Sequence, residues 1–241
     1  MLPASSLTDM KLPVSRIRRQ DRSEATRGRL IRAAEKIFAR DGFEAAKLEE
    51  IAAEAGYTRG AFYANFKSKE DLFLALLEGE ISHRIDTAER LMKSVRDPVD
   101  KLKVFREFFL TISQDRRWSL LSLEFKLFAV RHPDVKARLA AMNRRLIKPR
   151  IGILQDIMRS SERSLPASPS AVAISLSAAG NALALEHMLD RSIMPEPELK
   201  ILLANYFDSL TSGPDTSGAR NRRKSQPSDM AGGRTKLTQR S

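Results

Sequence analysis

Apolar residues along this chain recur every three or four positions, in runs separated by glycine, proline and serine. Leu30, Ala34, Ile37 and Phe38 share one face of a helix. Ser23 is its expected N-cap. Gly42 is its expected stop, because glycine tolerates the left-handed backbone that ends helices, and Phe43 can fold back onto the last turn. A short helix follows over about 48–55, with Leu48, Ile51, Ala52 and Ala55 on one face. Gly56 ends it, and a second short helix runs from Thr58 to about Asn65. Ser68 then caps a longer helix, with Asp71 three residues on, where its charge meets unpaired N–H groups. Leu72, Leu76, Ile81, Ile85 and Leu91 continue that pattern to about Ser94. Further helices fit 98–114, 116–131, 134–160, 169–191 and 196–211, with proline-bearing breaks between them. No alternating run of β-branched residues argues for a sheet, so the expected fold class is all-α.

Composition narrows the chemistry. With 241 residues, 42% hydrophobic and 30% charged, the chain can bury a substantial core. It has no cysteine, which excludes disulfides, a thiolate metal site and a cysteine nucleophile. His83, His132 and His187 are far apart with no i,i+4 partner, so no metal is expected. No G-x-G-x-x-G, H-E-x-x-H or G-x-S-x-G motif occurs, so no catalytic residue, cofactor or enzymatic turnover is expected. The N-terminus lacks a signal pattern. The apolar run "AVAISLSAAGNALAL" at 171–185 reads as too short and too rich in Ser and Asn to cross a bilayer. A cytoplasmic protein without a membrane partner is expected.

The net charge of +12 suggests nucleic acid, but its placement matters more than its sum. Residues 26–85 hold ten Lys/Arg against ten Asp/Glu and carry no net charge. Any electrostatic footprint there depends on how the charges are arranged.

Two short helices joined by a glycine turn are the ingredients of a helix-turn-helix, whose second helix enters the major groove. Ala52 is small where the helices approach, and Gly56 supplies the turn. Thr58 can cap the second helix or donate its hydroxyl to a phosphate. Arg59, at the exposed end, suits a bidentate contact to guanine, and Ala61 can meet a thymine methyl. Gly60 lets backbone sit close to base edges, at about 1 kcal/mol of helix stability. The Tyr63 hydroxyl can reach a phosphate, while Phe62 and Phe66 are expected to face inward. Lys67 and Lys69 flank the next helix start, where phosphate is favoured.

The stretch "GRLIRAAEKIFARDGFEAAKLEEIAAEAGYTRGAFYANFKSKEDLFLALL" resembles the DNA-binding domain of TetR/AcrR-type transcriptional regulators, over about residues 26–85. The resemblance implies an all-helical homodimer with a C-terminal domain for ligand binding and dimerisation. It further implies repression of a palindromic double-stranded DNA operator, relieved by a small-molecule effector. Carried over by position, its DNA contacts fall on Thr58, Arg59, Gly60, Tyr63, Asn65 and Lys69. The chain departs from the family pattern in several places. Ala46 and Lys47 stand where Thr–Thr is usual, and Lys47 offers a charge for phosphate but cannot cap the helix. Asn65 replaces the common His, and Tyr57 an aliphatic residue.

The expected organisation is a flexible basic arm over 1–22, a helix-turn-helix DNA-binding domain over 23–85, an effector-binding and dimerisation domain over 86–211, and a disordered basic tail over 212–241. Phe105, Phe108, Phe109, Trp118, Phe125 and Phe128 are candidate walls of a ligand cavity, although such stripes are more often plain core. Glu124 among them is expected at the surface; if buried it needs a partner or a cationic ligand. The small residues Ala178, Gly180 and Ala184 mark a candidate dimer interface, the alternative being a helix buried within one subunit. The effector is expected to act through the long helix at 68–94. A second reading is a sequence-tolerant architectural DNA-binding protein driven by its basic ends.

Overall fold

The structure, a computed structural model, describes residues 14–213. The tail from 214 and the arm before 14 lie outside the described residues. Among the described residues the chain forms nine helices and no strand: α1 (Val14–Ala45), α2 (Leu48–Glu54), α3 (Arg59–Tyr63), α4 (Lys69–Ser94), α5 (Pro98–Ser113), α6 (Arg116–Arg131), α7 (Pro133–Ser160), α8 (Pro169–Leu189) and α9 (Glu196–Thr211). The all-α expectation holds, and helix ends fall close to the predicted ones.

The breaks work because they carry caps. Asp97 accepts from the Val99 and Asp100 N–H groups at 2.8 and 3.1 Å, and Asp115 accepts from Trp118 N–H at 3.0 Å. Ser168 and Ser68 do the same for α8 and α4. Prolines occupy the first turn of α5, α7, α8 and α9, where a missing N–H costs nothing. Pro149 is the exception: it lies inside α7 and leaves the Arg145 carbonyl without a helical donor.

α1 differs from expectation at both ends. It begins at Val14, so Ser23 is not its N-cap and the expected flexible arm is helical from residue 14 onward. No proline or glycine interrupts 14–22, and its Arg, Ile and Gln residues are adequate helix formers. At the other end Gly42 kinks the helix rather than stopping it, with φ +80° and ψ 171°. That backbone region is essentially open to glycine alone.

The kink turns Phe43 into a seam between the two halves of the chain. The Phe43 ring meets Phe73 and Phe125 edge-on at 5.1 Å each, and Phe128 at 4.7 Å. Phe73 and Phe125 stack at 4.3 Å. Aromatic pairs of this kind contribute about 0.5–1.5 kcal/mol each beyond their buried area. The Phe43 N–H, freed by the kink, donates to Glu124 Oε1 at 2.6 Å. Glu124 is therefore not a plain surface charge. It is partly buried, and its partner is a backbone N–H from the other end of the fold.

One core contains Leu30, Phe38, Ile51 and Phe62 from α1–α3 together with Leu121, Phe125 and Met142 from α6 and α7. α4 runs unbroken past residue 85. The boundary expected at 85/86 is therefore not a break in packing. A second core joins Phe109, Leu154, Ile157, Leu176, Leu203 and Phe207 from α5, α7, α8 and α9. Polar ties run between the same helices. Arg106 grips Asp208 in a two-pronged pair at 2.9 and 3.1 Å. His187 donates from Nδ1 to the Met194 carbonyl at 2.7 Å and accepts from Arg116 at Nε2, at 2.8 Å.

α8 is long and apolar enough, by length and composition, for a membrane span, contrary to the estimate from 171–185. Here it lies between α6, α7 and α9, with Val172, Leu176 and Ala184 buried. A bundle's central helix meets the same criterion.

Gly42→Ala is expected to destabilise the protein by about 1–3 kcal/mol, because the backbone is strained for any Cβ. The added Cβ would also lie 2.7 Å from Glu124 Oε1. Glu124→Ala, which strands the Phe43 N–H, is expected to cost a similar ~1–3 kcal/mol. Urea unfolding followed by circular dichroism measures both, and midpoints equal to wild type would contradict the seam.

Candidate nucleic-acid interface and ligand cavity

Lys47 holds the N-cap position before α2; it is extended (φ −98°, ψ 136°) and provides no side-chain cap, as a lysine cannot. Ile51 and Ala52 are buried against the N-terminal core. The helix ends in a Schellman turn: Tyr57 N–H bonds Ala52 O at 2.8 Å and Gly56 N–H bonds Ala53 O at 2.9 Å. Gly56 has φ +75°, which is why the position suits glycine. Tyr57 is not a loss here, since its hydroxyl accepts from Thr26 on α1 at 3.3 Å.

α3 is shorter than expected, five residues rather than about eight, although Asn65 and Phe66 N–H groups still bond Phe62 O at 2.9 Å in a final turn. Thr58 caps it, accepting from Ala61 N–H at 3.3 Å. Phe62 and Phe66 are buried, and Tyr63 points outward, 47% exposed. A Cβ on Gly60 would touch nothing closer than Thr58 Oγ1 at 3.7 Å, so internal packing does not demand a glycine there. Its bare side faces outward, beside exposed Thr58 and Arg59.

Of the nine residues named for DNA, Lys47, Thr58, Arg59, Gly60, Tyr63 and Lys67 are exposed, and Ala61 is half-buried. Arg59 is engaged in the free protein. It pairs with Glu49 of α2 at 2.8 Å and donates to the Tyr63 hydroxyl at 3.3 Å. The hydrogen bond to Tyr63 and the charge of Glu49 together raise its pKa.

Asn65 and Lys69 are occupied differently. Asn65 Nδ2 donates to Ala61 O at 2.8 Å, and Asn65 O accepts from Arg27 at 3.1 Å. Lys69 Nζ donates to the Glu44 and Ala46 carbonyls at 2.8 and 3.1 Å and lies 4.8 Å above the Phe43 ring. Burial pushes its pKa down, against the pull of Glu70, Glu44 and Glu124. In the free protein its ammonium closes the end of α1.

The cavity lies between α4, α5, α6, α7 and α8 and has a volume of about 440 Å³. Phe105, Phe108, Phe109 and Trp118 line it, as expected. Phe125 and Phe128 do not, because the seam with Phe43 takes them. The small residues of α8 also divide. Gly180 is buried, where a Cβ would come within 2.7 Å of Ser113 Oγ on α5, and Ala184 is buried too. Both therefore pack within the protomer, which corrects their expected place in a dimer interface; Ala178 stays exposed and borders the cavity. Sequence reasoning missed the cavity's cations Arg84, Lys126, Arg144 and Arg150. The one available signal was a lysine between Phe125 and Leu127 in an otherwise apolar stretch.

A helix-turn-helix module carried on an all-helical body that encloses a cavity defines a structural class. Residues 30–76 match the family model described as bacterial regulatory proteins, tetR family. The match is to that family's N-terminal, helix-turn-helix part. The chain is 35% identical over 108 residues to the HTH-type transcriptional regulator AcrR of Shigella flexneri, covering 43% of this chain and 49% of that protein. It is 31% identical over 117 residues to the HTH-type transcriptional activator FasR of Mycolicibacterium smegmatis, covering 47% and 53%. The chain thus spans about half the length of these curated relatives. Among solved structures, the transcriptional regulator FadR of Bacillus subtilis, in complex with stearoyl-CoA, superposes with a TM-score of 0.59 at 19% identity, over 77% of this chain and 98% of that one. At that identity the likeness shows the fold alone.

Lys69→Met is expected to lower stability by about 1–3 kcal/mol, since two carbonyls lose a charged donor. Urea unfolding measures it; unchanged stability would return Lys69 to the list of free cations.

Proposed function

We propose that this protein is a cytoplasmic DNA-binding transcriptional regulator, acting as a homodimer on a palindromic operator and releasing it when a small molecule enters the cavity. The observation that carries the reading is the outward face of α3. Thr58, Arg59, Gly60 and Tyr63 are presented together, while Phe62 and Phe66 anchor the helix from behind. A short helix held this way can enter a major groove, with Lys47 and Lys67 beside it for phosphate.

Dimerisation is supported by apolar side chains that one protomer leaves exposed on α8, α9 and the turn between them: Ile174, Leu189, Ile193, Ile201 and Leu202. Two copies joined there would present their α3 helices to successive major-groove faces, roughly 34–36 Å apart or a multiple of that. Repression is the direction we infer. One relative is named as an activator, so the sign is tested with a reporter gene and not assumed from kinship.

Release requires that the ligand prefer the conformation that cannot bind the operator. α6 supports that coupling, because it carries both the seam residues Glu124 and Phe125 and the cavity residues Trp118, Ser122 and Lys126.

Arg59→Ala is expected to weaken binding to a selected operator roughly ten- to hundredfold and to relax preference at one base position. Glu49→Gln, which frees Arg59, is expected to tighten binding about two- to fivefold. Fluorescence anisotropy with operator and scrambled duplexes measures both, and affinities unaffected by either change would refute α3 as the reader.

A further inference from the structure

The polar lining of the cavity has one sign. Arg84, Lys126, Arg144 and Arg150 border it, and no aspartate or glutamate is among its lining residues. Arg84 is already satisfied: it pairs with Glu80 and Asp115 at 2.7 Å each and covers Trp118. Arg150, part-buried on α7, donates to Ala173 O at 2.9 Å and to Ser177 Oγ, both neutral acceptors. A guanidinium has five N–H donors, so several remain, and no carboxylate balances the charge. Lys126, on α6, makes no hydrogen bond or ion pair among the described residues. It is exposed and borders the cavity.

Burial pushes the pKa of both Lys126 and Arg150 down, and for Lys126 the neighbouring charge of Arg150 adds to this. Two neighbouring cations on one cavity without a counter-ion are an unfavourable arrangement in the empty protein. An anion between them removes both the repulsion and the unmet donors. Most of the remaining lining is apolar, including Ile81, Ile85, Phe105, Phe109 and Leu154, with neutral Ser and Asn side chains among it. A cavity of about 440 Å³ falls in the range that encloses a small ligand.

We infer that the cavity takes an apolar ligand with a single anionic head, a carboxylate or a phosphate ester, seated between Lys126 and Arg150 with its body along Phe105 and Trp118. The inference rests on the reading that this cavity holds the effector, and it specifies the effector's chemistry. The charge pair selects against neutral and cationic ligands of the same shape, because those leave both cations without a partner.

Trp118 is the single tryptophan of the chain, so its emission reports occupancy directly. The full chain is titrated with decanoate, decyl phosphate, decanol and decyltrimethylammonium. Saturable emission changes are expected with the two anions, the tighter of which names the head group. The neutral and cationic probes are expected to bind at least tenfold more weakly. Lys126→Met and Arg150→Gln should each weaken the preferred anion about tenfold or more, and Lys126→Arg should restore it; thermal melts by circular dichroism verify that each variant is folded. Equal binding of all four probes, or affinity indifferent to Lys126→Met in a folded variant, would overturn the inference. Operator binding is measured separately with the same ligands. Tight anion binding without operator release leaves the site standing and removes the effector role, whereas operator release by all four probes alike overturns the head-group assignment and leaves the effector role standing.

Discussion

The hydrogen bond from the Phe43 N–H to the Glu124 carboxylate is the constraint on which the arrangement of the two halves depends. It exists because Gly42 adopts a backbone conformation that breaks α1 and turns the next N–H away from helical acceptors. An N–H buried without a partner costs about 1–3 kcal/mol, so a kink at this depth needs an acceptor from elsewhere. Glu124 supplies it from α6. The same kink drives the Phe43 ring into Phe73, Phe125 and Phe128. Lys69 closes the carbonyls just beyond it. A strained glycine, a carboxylate, an ammonium and four rings thus hold one joint.

That joint makes α6 the shared element of the molecule. One side of the helix meets α1 through Glu124, Phe125 and the Arg117–Glu35 pair at 2.7 Å. The other lines the cavity with Trp118, Ser122 and Lys126. The long helix α4 was the expected route between ligand and DNA, and it does touch both regions, with Arg138–Asp71 and Arg145–Glu78 tying it to α7. α6 is a second helix that reaches both regions, with its seam side packed against α1. Dense interiors transmit strain rather than absorb it.

The α3 surface illustrates how a binding face is kept ready. Its inward side is fixed by Phe62 and Phe66, with Arg27 stacked 4.2 Å over the Phe66 ring. Its outward side holds Arg59 against Glu49 and Tyr63. These exposed contacts are weak and exchangeable in water, so they orient the guanidinium without locking it. Asn65 and Lys69, by contrast, are bonded to backbone carbonyls and serve the module's own geometry.

The sequence alone determined what is local. Helical spacing, capping side chains and the glycines at 42 and 56 set the element order closely, because each depends on residues only a few positions apart. The ordered motif around α2 and α3 placed the expected DNA contacts on one short segment for the same reason. The tertiary structure decided everything that involves residues distant in the chain. It assigned Phe125 and Phe128 to the seam and left Phe105, Phe108, Phe109 and Trp118 to the cavity, although all six look alike as a stripe. It turned Gly180 and Ala184 inward, because Ser113 of α5 lies against the first. It gave Glu124 a partner 81 positions away and brought Lys126 and Arg150 to one cavity. A side chain's local pattern states which face of its own helix it occupies, but the neighbour across that face is set by packing, and packing decides its role.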